Sequence, residues 1–180
     1  LHRAGYLPLR NLVFTTAPDN AQALLAIDSA NNITVEGCSF RGNTAAIRAA
    51  GTDSLLLSAN TFVMRKAPAM TLTDTRNFMI VNKEVQTQNG NGIGLTRCSG
   101  GKTGANSVVA DGSATVNALL TTDCAECEFA DNILQNPGPG AALSANTPSG
   151  NIFTHNAVWG ATTFYSLNGS ALTPAQWSAA

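Results

Sequence analysis

Three charged residues in this 180-residue chain invite a chemical reading first: Asp74, Arg97 and Asp123. They recur at steps of 23 and 26 residues. An arginine between two carboxylates can hold a substrate carboxylate while a neighbouring base removes a proton. Arginine itself is a demanding base, because it is almost always protonated. These three are therefore the catalytic candidates, with Arg97 as the carboxylate holder. The same charges also make an ordinary salt-bridge ladder on a sheet, where opposite charges commonly pair and each pair contributes little. Of the two readings the ladder is the stronger.

Other reactive groups carry plainer readings. His155 follows Asp131 one repeat later, which could orient a general base. No Ser or Cys nucleophile sits in register with them, so a structural hydrogen bond is expected. Cys124-Ala-Glu-Cys127 has the spacing of a redox or zinc pair but lacks a second pair and a helix start. Cys98 and Cys124 lie one repeat apart, compatible with a disulfide or with two stacked thiols. Lys102 and Glu128, also one repeat apart, read as a surface ion pair. No motif supports a cofactor or a metal, calcium included.

Bulk properties narrow the classes. Hydrophobic residues make up 44% of the chain and charged ones 12%, about half the usual charged share. The net charge of -1 gives no electrostatic footprint for nucleic acid. No apolar run approaches the ~20 residues of a membrane span. The opening Leu1-His2-Arg3-Ala4-Gly5 is neither a signal peptide nor an initiator methionine and reads as an excised or mature fragment.

What must position the candidates is a repeat. Leu25–Asp28 followed by Ile33–Phe40 is echoed 22 residues later by Ile47–Ala50 and Leu55–Phe62. Each repeat reads as two short strands with alternating inward residues. Taking Cys38, Asn60, Lys83, Asn106, Asn132 and Asn156 as one column, the steps are 22, 23, 23, 26 and 24 residues. Two places on stand Phe40, Phe62, Val85, Val108, Leu134 and Val158. Three places before stand Val35, Leu57, Ile80, Thr103, Phe129 and Phe153. Two further inward columns begin at Ile27 and Leu25. One such repeat cannot bury its own inward face, so the repeats must stack. A β-sandwich with similarly spaced strands would not keep columns at a constant offset. The usual hand of parallel crossovers makes the stack right-handed.

The asparagine column predicts a ladder of amides at a left-handed turn. Lys83 cannot join it and should point outward, or the ladder should break there. All length variation falls in one turn, the longest stretch being 109–118; such insertions often mark a binding face. Cys127 shares an inward column with Ile33, Leu55 and Phe78. Thr34, Leu56, Met79, Lys102, Glu128 and Ile152 form an outward column, in which Leu56 and Met79 make an apolar pair suggestive of a partner. Leu7, Leu9, Leu12, Val13 and Phe14 suggest a partial coil without a fixed register. Thr173-Pro174-Ala175-Gln176-Trp177 reads as a capped short helix able to cover the last coil.

The expected fold is thus all-β: a right-handed parallel β-helix of about six to seven coils with a short C-terminal helix. Its divisions are residues 1–22 (partial coil), 23–158 (stacked coils) and 159–180 (partial coil and capping helix). Through Ile33–Phe40, Leu55–Phe62, Phe129–Leu134 and Phe153–Val158 the chain resembles the parallel β-helix proteins of the pectate-lyase-like superfamily. The Asp-Pro-His-Asp motif of mannuronan epimerases and the Asn-Thr-Asp and Gly-His-Gly motifs of polygalacturonases do not occur, so no catalytic residue transfers. The resemblance implies an extracellular, polysaccharide-processing or polysaccharide-binding protein of lyase or epimerase type, this chain being its C-terminal portion. The alternative is a non-catalytic spike on a cell or virion surface, such as a phage tailspike. The implied partners are polysaccharide and either two further copies in a homotrimer or the remainder of the same chain.

Overall fold

A computed structural model describes residues 1–3, 5–15, 22–112, 115–146 and 150–178. The chain winds through three parallel sheets in turn. Sheet I stacks seven strands from Leu7–Arg10 to Ile152–Thr154, and sheet II stacks seven from Val13–Thr15 to Ala157–Trp159. Sheet III has eight, seven parallel strands from Leu25–Asp28 to Thr163–Leu167 and the closing antiparallel strand Ser170–Leu172. The five inward columns hold at every step. Phe40 pairs with Phe62, Phe62 with Val85, Val85 with Val108, Val108 with Leu134, and Leu134 with Val158. Apolar alternation is the cause, because a slip of one residue would turn every inward side chain to solvent.

Each coil holds three strands rather than the expected two. The stretch Ile33–Phe40 breaks at Gly37, where φ is +62°, into Asn31–Glu36 and Ser39–Gly42. The equivalent corner residues Ala59, Asn82, Ala105, Asp131 and His155 also have positive φ. The left-handed residue is thus the one before the asparagine column, not the asparagine itself. That frees the amides to bridge coils. Asn106 Nδ2 donates to Asn132 Oδ1 at 2.9 Å and Asn132 Nδ2 to Asn156 Oδ1 at 2.8 Å. Asn60 stands apart, donating to Val35 O and accepting the Cys38 N–H, both at 2.8 Å.

The ladder breaks at Lys83, as the residue types require. Its side chain nevertheless does not point outward. Lys83 is only 3% exposed, and its Nζ is buried without a hydrogen-bond partner. The column turns inward whatever residue fills it, so the lysine is carried into the core. Burial pushes its amine down to about 6, against a weaker raising influence from Cys38 and Glu36.

The stack starts earlier and ends later than residues 23 and 158. Leu7 and Leu9 pair with Ile33 and Val35, and Phe14 pairs with Phe40, which supplies the register that the N-terminal sequence lacked. Residues 16–21 of the expected partial coil lie outside the described residues. Thr163–Leu167 continues sheet III against Ala141–Ala145. In the long turn, Ser107–Asp111 stays paired with Glu84–Gln88, and residues 113–114 lie outside the description.

Like residues stack in the core. The rings of Phe14, Phe40 and Phe62 lie parallel at 4.6 and 4.9 Å, and Phe129 and Phe153 at 4.7 Å. Helix Pro174–Ser178 covers the last coil. Trp177 meets Phe153 edge-on at 5.2 Å and stacks on Tyr165 at 5.0 Å. The helix is held by a capping box, in which Gln176 N–H donates to Thr173 Oγ1 and Thr173 N–H donates to Gln176 Oε1.

Candidate functional site

Asp74, Arg97 and Asp123 are brought together, though not on a strand face. Each is the left-handed residue that ends a sheet III strand, with φ of +50°, +51° and +53°. Arg97 grips Asp74 with two hydrogen bonds, Nε to Oδ1 at 2.7 Å and Nη2 to Oδ2 at 2.8 Å. The hydrogen bond from Arg97 holds the Asp74 carboxyl below the ordinary carboxylate range. The same bond, reinforced by the charges of Asp74 and Asp123, raises the guanidinium against a small opposing effect of burial. Both groups are about half exposed. The result is a set of fixed charges, with the fork of Arg97 already matched to a carboxylate. It resists proton transfer at neutral pH.

Immediately after these residues comes a buried column of Thr52, Thr75, Cys98 and Cys124. Each side chain donates to the carbonyl two residues earlier, at 3.3, 3.2, 3.4 and 3.5 Å. In this structure no two of the four cysteines are bonded to one another. Cys127 is buried at the next corner and donates to Ala125 O at 3.3 Å, in keeping with a structural role. Among the described residues no hydrogen bond joins the His155 ring to the Asp131 carboxylate. Asp131 N–H instead donates to the backbone carbonyl of Thr154, the residue before His155. Among the described residues no three His, Cys, Asp or Glu side chains converge to hold a metal ion.

A larger feature lies on the outer face of sheet I. An open groove of about 600 Å³ crosses four coils. Its floor is the outward column Met79, Lys102, Glu128 and Ile152, held in register strand to strand. Lys102 Nζ bonds Glu128 Oε1 at 2.8 Å in the middle, while Met79 and Ile152 stand at the ends, 44% and 57% exposed. Asn77, Gly100, Glu126 and Gly150 line the edge where the chain enters the sheet. Gly100 and Gly150 have φ near +60° and carry no side chain to fill it. Gly101 is required for a different reason: a Cβ there would lie 2.1 Å from the Phe78 ring.

The outward column is readable from the repeat, and so is its ion pair. The groove is not, because it arises where Gly100 and Gly101 on one coil and Gly150 two coils on flank Glu126 along the same edge. The signal for it is the double glycine at 100–101, one coil below an Asn77-Phe78 pair.

The profile of the right-handed β-helix region matches residues 7–158, and the chain belongs to that family. The match begins and ends with the first strand of sheet I and the last strand of sheet II. No curated protein matches the chain. No helix among the described residues is long and apolar enough to cross a membrane.

Proposed function

We propose that this chain is a polysaccharide-binding β-helix and that the ligand lies along the groove of sheet I, at a cell or virion surface. The carrying observation is the groove itself, with an ion pair at its centre, apolar ends and bare glycine edges. Coils repeat every ~4.8 Å, similar to the length of one sugar unit, so successive coils offer successive units equivalent contacts. Lys102 and Glu128 supply a donor and an acceptor for hydroxyl or carboxylate groups. Met79 and Ile152 suit the C–H faces of sugar rings. Asn77, whose Nδ2 donates to Asp53 Oδ1 at 2.8 Å, is held in place at the edge.

Binding is a better reading than lyase or epimerase chemistry. Asp74 and Arg97 satisfy one another, and their shifts run away from neutral pH in both directions. A substrate carboxylate would have to displace Asp74 from Arg97. The spike reading keeps one specific support, the outward exposure of Met79, Ile133 and Ile152, which would suit a homotrimer interface.

Titration calorimetry against a panel of neutral and uronate-containing polysaccharides tests the proposal. Binding to at least one member is expected, with affinity lost in a Met79→Asp, Lys102→Ala double variant. No binding across the panel, or equal binding by the variant, rejects it. Ultraviolet detection of unsaturated products on the same panel tests the lyase reading; product formation abolished by Arg97→Ala would restore it. Sedimentation addresses the spike reading, which predicts a trimer.

A further inference from the structure

Cys98 and Cys124 occupy one corner position on consecutive coils. Their register is fixed from both sides. Arg97 N–H donates to Thr122 O at 2.9 Å, Ala125 N–H donates to Cys98 O at 3.0 Å, and Ser99 pairs with Ala125. The Cα separation is therefore that of neighbouring strands, ~4.8 Å, inside the range of about 4.4–6.8 Å that a disulfide spans. Both side chains turn inward and are 1% exposed. Both thiols reach the carbonyl two residues earlier, and Cys98 Sγ also reaches Leu72 O on the preceding coil at 3.5 Å.

In the two preceding coils Thr52 and Thr75 make the same bond from the same place. A small inward donor is all that the packing needs, and threonine provides it with a stronger donor than a thiol. Cysteines fill the position only across the coil with the 26-residue step, the one carrying the longest turn.

We propose that Cys98 and Cys124 form a disulfide that staples the two coils on either side of the long turn. The Cys124 thiolate attacks one sulfur of a low-molecular-weight disulfide and expels a thiolate from it. The Cys98 thiolate then attacks the Cys124 sulfur of the mixed disulfide and expels the second. Two protein thiols lose two protons and two electrons, and the oxidant leaves as two thiols. The roles of the two thiolates can be exchanged without altering this balance. Because both sulfurs are buried, exchange takes place while the coil is still closing. Cys127 is the competing thiol, three residues beyond Cys124. It belongs to the next corner, and its Sγ faces the Cys98 carbonyl at 3.8 Å rather than the Cys124 sulfur.

The full chain is refolded from denaturant with oxidised and reduced glutathione, alkylated under denaturing conditions and digested. One cross-linked peptide pair joining Cys98 to Cys124 is expected, with Cys38 and Cys127 alkylated. The oxidised protein should denature at a higher midpoint than the same protein after reduction. The Cys98→Thr, Cys124→Thr variant should fold, since threonine fills this column elsewhere, and its midpoint should not respond to oxidant. Four alkylated cysteines, or a bond involving Cys127 or Cys38, overturn the proposal. So does an oxidant-dependent midpoint in the double threonine variant.

Discussion

Asn106 Oδ1 accepts the backbone N–H of Lys83 at 3.1 Å, and the Lys83 side chain, buried in the same column, has no oxygen with which to do the same for Asn60. One substitution should join the two parts of the ladder. In Lys83→Asn, the new amide can accept from Asn60 N–H and donate to Leu57 O, as Asn106 donates to Ile80 O at 3.0 Å. Each hydrogen bond gained is worth about 1 kcal/mol, and an unpaired buried amine is removed besides. Urea denaturation should show a higher midpoint for Lys83→Asn and for Lys83→Met, which keeps the length without the amine. A lower midpoint for both would mean that the lysine is stabilising where it stands.

The same amine sets a pH dependence. Its value in the folded chain, about 6, lies below the ordinary 10.5. Between those values the unfolded chain binds the additional proton. Stability should therefore rise with pH across the window, by up to about 1.4 kcal/mol per unit from this group. The contribution is complete above 10.5 and lost as pH falls through 6. Denaturation at several pH values inside the window should give a positive slope in the wild type and a flatter one in Lys83→Met. Equal slopes would contradict the burial of an uncharged amine.

The inward and outward columns make different claims on stability. Phe62 is fully buried between Phe40 and Val85, whereas Leu56 faces outward and is partly exposed. Phe62→Ala should cost about 3–5 kcal/mol, as buried Phe truncations do. Leu56→Ala should cost well under that in a monomer. Comparable losses in chemical denaturation would show the inward–outward register to be wrong.

Arg97 tests backbone against charge. Its φ of +51° is shared by Gly51, at +58°, in the same column. Arg97→Gly and Arg97→Val both lose the exposed pair with Asp74, a small effect. Only valine adds a β-branched side chain at positive φ. The melting temperature should hold or rise in Arg97→Gly and fall clearly in Arg97→Val. A matching fall in both would assign the stability to the ion pair.

Gly101 underlies the groove. An added Cβ would sit 2.1 Å from the Phe78 ring, which is buried. Gly101→Ala should lower the denaturation midpoint, and Phe78→Leu in that background should recover part of the loss. Absence of any recovery would place the strain elsewhere.

Residue order dictates the stack. Apolar residues at a fixed offset admit one arrangement, so the pairings Phe40–Phe62 and Ile47–Met70 are legible without coordinates, as are the ion pair Lys102–Glu128 and the capping helix. The corners needed the tertiary structure. Ala59 and Arg97 are ordinary residues whose left-handed backbone is imposed by the coils above and below, so neither the third strand of each coil nor the turn position of Asp74, Arg97 and Asp123 follows from residue type. Lys83 shows the same limit: its composition says surface, and its column decides otherwise. The groove depends on Gly100 and Gly150 flanking Glu126 across three coils joined by turns of unequal length, a juxtaposition made by stacking and by no local pattern.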